Sequence, residues 1–366
     1  MEQDNIFRIA LTKVPHIGSV QGKLLIETFG DATAVFKTKK SLLEKVDGIG
    51  QIRADAIKRF SDFASCEKEL KFIEQQNIQC LFYTEENYPH RLRHCHDAPI
   101  ILFFKGNANC NASRILAVVG TRSNTFYGKD VCETIIEDLK NHDIMIVSGL
   151  AYGIDTIAHK AALKNNMPTV AVLAHGLDRI YPYQNKSLAL KMLEQGGLIT
   201  SFVSQTNPDK QNFPSRNRIT AGMADALLVV ETGEKGGSLI TAEIAFSYHK
   251  EIFAVPGRVN DPKSAGCLRL IKNQKAILVE SAADIIQNMA WGDQQKQQKK
   301  QQLSLFHELT EAQQQVISHF KNGDTLHIEK LIAATGFAGS ALASALLSLE
   351  MLDILECLPG KKYRIK

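Results

Sequence analysis

Ile144-Met145-Ile146-Val147-Ser148-Gly149-Leu150-Ala151-Tyr152-Gly153-Ile154-Asp155 carries the chain from an apolar run, through a hydroxyl and two glycines, into a helical pattern over 156–164. Four consecutive apolar residues leave no polar face, so they read as a short strand buried on both sides. A strand, a glycine-bearing turn and a helix in that order make half of a parallel crossover unit.

Working outward, the same alternation recurs. Candidate strands fall at 100–104, 115–119, 144–147, 169–173, 198–201, 226–230, 251–255 and 276–279, read as buried parallel strands. Helices are expected at 128–140, 156–164, 186–194, 218–224 and 239–248. The succession predicts an α/β fold, an extended Rossmann-like doubly wound, mostly parallel sheet. Such sheets bind ligands beyond the carboxyl ends of their strands, so function is sought in the loops there.

A chain of 366 residues exceeds one ordinary core, which stops growing at ~250 to 300 residues. The pattern divides it into a helical domain at 1–79 with two helix-hairpin-helix motifs, the Rossmann-like domain at 80–290, a Gln/Lys-rich linker at 291–304 and a winged-helix domain at 305–366. The hairpins are read at Val14-Pro15-His16-Ile17-Gly18 and at Val46-Asp47-Gly48-Ile49-Gly50, the first departing from the usual Gly-Ile-Gly by carrying His16. The spacer Gly292-Asp293-Gln294-Gln295-Lys296-Gln297-Gln298-Lys299-Lys300-Gln301-Gln302 has no apolar residue with which to dock on a core.

Seven unpaired-looking cysteines, no secretory pattern at the start and no apolar run long enough for a bilayer lead to the expectation of a cytoplasmic protein without a membrane partner. A net charge of +4 is too small to mark a nucleic-acid binder, so any such site must come from local clustering.

Clusters are present. Gly120-Thr121-Arg122-Ser123 follows one strand, Ser148-Gly149 opens the next loop, and Glu231-Thr232-Gly233-Glu234-Lys235-Gly236-Gly237-Ser238 precedes a helix. Glycines let the backbone approach a phosphate, and the unsatisfied N–H groups of a helix start favour an anion. Lys210-Gln211-Asn212-Phe213-Pro214-Ser215-Arg216-Asn217-Arg218 sets a ring beside cations, the pair of contacts that an unpaired strand requires. Arg179 and Lys186 extend the basic rim around Gly176-Leu177-Asp178 and Tyr181-Pro182.

Together, Val119-Gly120-Thr121-Arg122, Ser148-Gly149 to Gly153-Ile154-Asp155, Gly176-Leu177-Asp178 to Tyr181-Pro182, Phe213-Pro214-Ser215-Arg216-Asn217-Arg218-Ile219 and Lys235-Gly236-Gly237-Ser238 resemble the DNA-processing protein A (DprA/Smf) family. The resemblance implies a dimer formed through the Rossmann-like domain that binds single-stranded DNA and loads a RecA-type recombinase in natural transformation, with no catalytic step, cofactor or metal. It further implies a site made of Arg122, Ser148, Gly149, Lys186, Lys210, Phe213, Arg216, Asn217, Arg218, Lys235, Gly236, Gly237 and Ser238. Asp155 and Asp225 read as structural, since carboxylates repel phosphate.

Two alternatives stand beside this. The loop at 235–243 is also similar to that of LOG-type nucleotide phosphoribohydrolases, with Glu243 at the place of their glutamate, and a nucleotide-sensing module would use the same pocket. A metal site at His90, His94, Cys95 and His96 matches no common zinc spacing.

Overall fold

The computed structural model describes residues 2–292, 309–320, 325–352 and 354–365. These fall into two compact units, Met1–Asp293 and Gln294–Lys366. Of the linker read at 291–304, Trp291 and Gly292 are described and the remainder lies outside the described residues.

The first unit begins with helices α1 (Glu2–Lys13), α2 (Ser19–Phe29), α3 (Ala32–Lys37), α4 (Lys40–Leu43), α5 (Gly50–Arg59) and α6 (Phe63–Gln75). The two hairpins lie before α2 and before α5, and His16, Gly48 and Gly50 there all have positive φ. Arg53 joins them, donating from Nε to the His16 carbonyl at 3.1 Å and from Nη1 to the Gly48 carbonyl at 2.9 Å. The apolar sides of these helices pack with Phe82, Ile100, Ile101 and Phe103, so the helical region and one end of the sheet share a core.

The sheet follows: β1 (Gln79–Phe82), α7 (His90–Arg93), β2 (Ile101–Gly106), β3 (Arg114–Val119), α8 (Phe126–Asp138), β4 (Ile144–Ser148), α9 (Ile154–Lys164), β5 (Thr169–Val172), α10 (Lys186–Gln195), β6 (Gly196–Thr200), α11 (Asn212–Met223), β7 (Ala226–Val229), α12 (Gly237–Ser247), β8 (Glu251–Ala254), α13 (Ala265–Lys272), β9 (Ile277–Leu278) and α14 (Ala282–Asn288). Among the described residues the strand order is β1-β2-β6-β5-β4-β3-β7-β8-β9. From β6 to β9 the neighbours are parallel, with Ala117 of β3 registered against Val147 of β4 and Leu227 of β7. Alternation serves both faces: Ile115, Ala117 and Val119 enter one apolar layer, Leu116 and Val118 the other.

Several features differ from the sequence expectation: the helix read at 218–224 begins at Asn212, because the chain is already helical through Phe213 and Arg216, and the strand read as buried at 276–279 is the exposed edge strand β9. The run at 100–104, read among the parallel strands, is antiparallel to both of its neighbours, β1 and β6. β1 itself went unread, because four residues with two apolar positions do not establish a period.

The order reverses between β3 and β7: the chain winds one way through β4, β5 and β6, and the other way through β8 and β9. The loops after β3 and β7 therefore diverge and leave a crevice at their carboxyl ends.

The second unit contains α15 (Glu311–Ser318), β10 (Thr325–His327), α16 (Ile328–Thr335), α17 (Gly339–Met351), β11 (Leu355–Leu358) and β12 (Lys362–Ile365). Its antiparallel sheet, ordered β10-β12-β11, closes over a core that includes Val316, Leu331, Leu342, Leu346 and Leu355. Three helices with a terminal hairpin are the parts of a winged helix.

Candidate nucleic-acid interface

The crevice is filled by the start of α11. Asn212 fixes that start, donating from Nδ2 to the carbonyls of Asn207 at 2.9 Å and Ala174 at 3.3 Å. One turn on, spacing of three residues brings Phe213 and Arg216 to one side of the helix. The Arg216 guanidinium carbon lies 5.6 Å from the Phe213 ring centroid and that of Arg122, from the loop after β3, lies 5.2 Å from it. Two cations from distant segments thus share one half-buried ring, each within the range of cation–π attraction.

Arg216 is buried, and its Nη1 is 3.8 Å from the Asp155 carboxylate at the start of α9. Gly149 makes the approach possible, since a Cβ there would stand 1.8 Å from Arg216 Nη1 and 2.4 Å from Asp155 Oδ2. Burial raises the Asp155 pKa, opposed by the Arg216 charge and a hydrogen bond from the Ala151 amide. Burial likewise lowers that of Arg216, opposed by Asp155. Both partners are pushed toward neutrality, so the pairing does not make up for the lost water. Arg216 Nε has no hydrogen-bond partner at all. An anion arriving beside Arg216 would supply the missing acceptor.

Such an anion would meet a second opening for hydrogen bonds across the groove. Gly236, Gly237 and Ser238 start α12, whose first N–H groups have no partner within the helix. The Ser238 Oγ is buried and unpartnered too. Thr121, Arg122, Lys210, Asn217 and these α12 residues line one depression of about 430 Å³. Arg122, Phe213 and Arg216 also border an apolar slot floored by Leu150, Leu173 and Ala174 and walled by Tyr152, Tyr181 and Pro182. A depression rimmed by cations and helix-start amides and an apolar slot, sharing one ring and two guanidiniums, suit a nucleotide, with phosphate on one side and base on the other.

The loop carrying Arg122 is held from behind. Glu231, buried, accepts from the Thr125 amide at 2.8 Å and hydroxyl at 2.7 Å, and its carbonyl accepts from the Thr121 amide at 2.7 Å. Beneath the loop after β4, His159 is fully buried between the Gly149 carbonyl (2.6 Å) and the Thr169 hydroxyl (2.7 Å). A carbonyl only accepts, so Nε2 carries the hydrogen, and burial lowers the pKa to about 4. His175, in the slot wall, accepts the Tyr181 amide at Nε2 and faces the Gly176 carbonyl through Nδ1, and burial lowers its pKa.

Of the residues singled out from the sequence, Arg122, Gly149, Lys210, Phe213, Arg216, Asn217, Gly236, Gly237 and Ser238 come together here. Four do not. Ser148 is wholly buried and its hydroxyl donates to the Val118 carbonyl at 2.6 Å, so it braces β4 and β3 and is closed to a ligand. Arg218 stands about 200° around the helix from Arg216, in a separate depression with Lys13, Gly18 and Ser19, and is paired with Asp97 at 3.0 Å. Lys186 lies over the Tyr183 ring at 5.6 Å. Lys235 is exposed on the loop before α12 and is not part of the groove wall.

Tyr152, His175 and Glu231 were not assigned to the site from sequence and Asp155 was read as structural, although Tyr152, Asp155 and Glu231 lie in the loop segments singled out there. Asp225, read as structural, accepts from the Ile115 amide at 2.8 Å and pairs with Arg91 at 2.5 Å. Glu243 sits outside the groove wall and is paired with Lys275 at 2.6 Å.

Residues 79–290 match the model of the DNA recombination-mediator protein A family, and residues 304–361 match the DprA winged helix domain. The chain is 41% identical to Protein Smf of Escherichia coli over 237 residues, which are 64% of this chain and 63% of that protein, slightly under two thirds of its length. It is 37% identical to DNA processing protein DprA of Bacillus subtilis over 242 residues, 65% of this chain and 81% of the relative. Among solved structures, DNA processing protein A of Streptococcus pneumoniae superposes with a TM-score of 0.67 at 32% identity, covering 77% of this chain and 96% of the other. A structure of Helicobacter pylori DNA processing protein A, concerned with that protein's single-stranded DNA binding mode, superposes at 0.53 with 28% identity, covering 58% and 95%.

Proposed function

Because the chain belongs to the DNA recombination-mediator protein A (DprA/Smf) family, we propose that it binds single-stranded DNA in the groove between α11 and α12, without catalysing a reaction on it. The observation that carries this reading is the meeting of two guanidiniums on the Phe213 ring beside two buried polar atoms, Arg216 Nε and Ser238 Oγ, that lack partners. A phosphate would supply acceptors to such atoms, and an unpaired base would stack on the ring or enter the slot. A duplex hides its base faces and cannot do the second. The phosphoribohydrolase alternative loses support, since its glutamate, Glu243, is engaged by Lys275 away from the groove.

The reading extends to two partners. A second copy would join through the sheet unit, whose edge strand β9 exposes Ile277 and Leu278; edges of this kind invite pairing. A RecA-type recombinase would then receive the bound strand. The cysteines are all free thiols and no single described helix is long and apolar enough to cross a membrane, in keeping with action in a reducing, aqueous compartment.

The test is fluorescence anisotropy with oligothymidylates of increasing length, a duplex and a mononucleotide, at two salt concentrations. Affinity should rise with strand length, fall with salt and drop about 30-fold or more in Arg216→Ala, the equivalent of ~2 kcal/mol for a lost charge-assisted contact. Saturation by the mononucleotide with no gain from added length would replace this reading with nucleotide sensing.

A further inference from the structure

The loops after β4 and β5 display three tyrosine rings in water, of which Tyr152 and Tyr181 also wall the slot and Tyr183 stands outside it. Tyr181 is 47% exposed and Tyr183 is 72% exposed, with Tyr152 at 44% from the loop after β4. Leaving tyrosine rings in water at the mouth of an apolar slot gives up burial that a core would have supplied, so their placement calls for an occupant.

The rings are held from below. Tyr183 begins a single 3-10 turn ending at Asn185, whose buried amide donates to the Leu150 carbonyl at 2.9 Å and the Thr156 hydroxyl at 2.8 Å. The Tyr152 hydroxyl donates to Gln184 Oε1 at 2.5 Å, tying the two loops together at the surface. His175 accepts the Tyr181 amide at 3.3 Å. A surface braced at three points presents its rings with little ordering cost on binding.

Its charge has one sign. Lys186 lies over the Tyr183 ring at 5.6 Å, and no carboxylate among the described residues pairs with it. Arg179 donates from Nε and Nη2 to one oxygen of Asp178, Oδ2, at 3.0 and 2.8 Å, which neutralises the acid of this loop.

We infer that Tyr152, Tyr181, Tyr183 and Lys186 form a second stacking station for single-stranded DNA, receiving the bases that leave the Phe213 slot while Lys186 takes a phosphate. This rests on the reading of the groove as a single-strand site and gives that site a direction, from α12 through Phe213 toward α10. It also gives Lys186 a role outside the groove. Continuity supports one occupant, because Tyr152 and Tyr181 both wall the slot and remain nearly half exposed. Interleaved rings and cations suit a polyanion with flat bases.

The experiment compares Tyr183→Ala, Tyr183→Phe, Lys186→Ala and Arg216→Ala in the full chain, by anisotropy with oligothymidylates of about 3 and about 15 nucleotides, short and long against the site size of a binding fold. Tyr183→Ala should weaken the long strand about tenfold and leave the short one unchanged. Tyr183→Phe should keep full affinity for both, and Lys186→Ala should lessen the salt dependence on the long strand only. If Tyr183→Ala binds the long strand as tightly as the parent while Arg216→Ala weakens both lengths, the station does not exist and the groove stands. Equal weakening at both lengths by Tyr183→Ala also overturns the station, by assigning the loss to a disturbed slot. If Arg216→Ala alters neither length, the groove reading fails and the station falls with it.

Discussion

Two arginine–aspartate pairs sit at opposite ends of the parallel strands, and they are finished differently. At the amino end, Arg91 and Asp225 meet at 2.5 Å; Asp225 also accepts the Ile115 amide and Arg91 also donates to the Ser113 carbonyl. At the carboxyl end, Arg216 and Asp155 stand 3.8 Å apart, are more deeply buried, and leave a guanidinium nitrogen without a partner. A pair that merely held the fold would be expected to look like the first, because an unsatisfied buried donor costs about 1 to 3 kcal/mol. The open pair is a place where stability is forgone and an incoming acceptor can restore it.

The largest effect that separates the two ends is expected from Asp155→Ala. It strands the buried Arg216 charge and should destabilise the fold by ~3 to 5 kcal/mol in urea unfolding, part of which a saturating oligothymidylate should return through linkage. If the strand fails to protect this variant more than the parent, the open pair is not where the anion goes.

Acid is expected to act on the same end. His159 is held neutral with its pKa lowered to about 4, whereas the unfolded chain takes up a proton near 6.5. The stability this contributes is complete above pH ~6.5 and is lost as pH falls toward 4, by ~3 kcal/mol in all. His159→Gln measured across that range should show a flatter profile. An unchanged profile would remove His159 from the account.

The smallest effect belongs to the closed end. Arg91→Ala leaves Asp225 partly exposed to water and still bonded to the Ile115 amide, so a loss of ~1 to 2 kcal/mol is expected with single-strand affinity unaltered. A cost equal to that of Asp155→Ala would erase the distinction between the ends.

Much of this was legible in the residues themselves. Buried strands announce themselves by uninterrupted apolar runs, and the loops that follow them by glycine beside a cation, as at Gly120-Thr121-Arg122 and Lys235-Gly236-Gly237. A helix was expected only from Arg218, so the three-residue spacing that brings Phe213 to Arg216 on α11 was not read. The same spacing, applied to Arg218, turns it away toward Asp97, a partner no local pattern could reveal. Ser148 looked like a hydroxyl in a phosphate loop, but β4 continues one residue further than the apolar run, and this residue's side chain faces Val118. The direction of β2 was unreadable because a buried strand has the same composition in either sense. Pairings such as Arg216 with Asp155, and Glu231 with Thr125, join segments far apart in the chain, and only packing decides them.

Gly149 gives the groove its grip by what it lacks. The guanidinium of Arg216 rests where a methyl group would otherwise be, so position 149 is a mould and Arg216 the casting. Adding one carbon there would displace the Arg216 guanidinium while leaving every side chain of the groove in the sequence, so the chain would keep those groups and lose their arrangement.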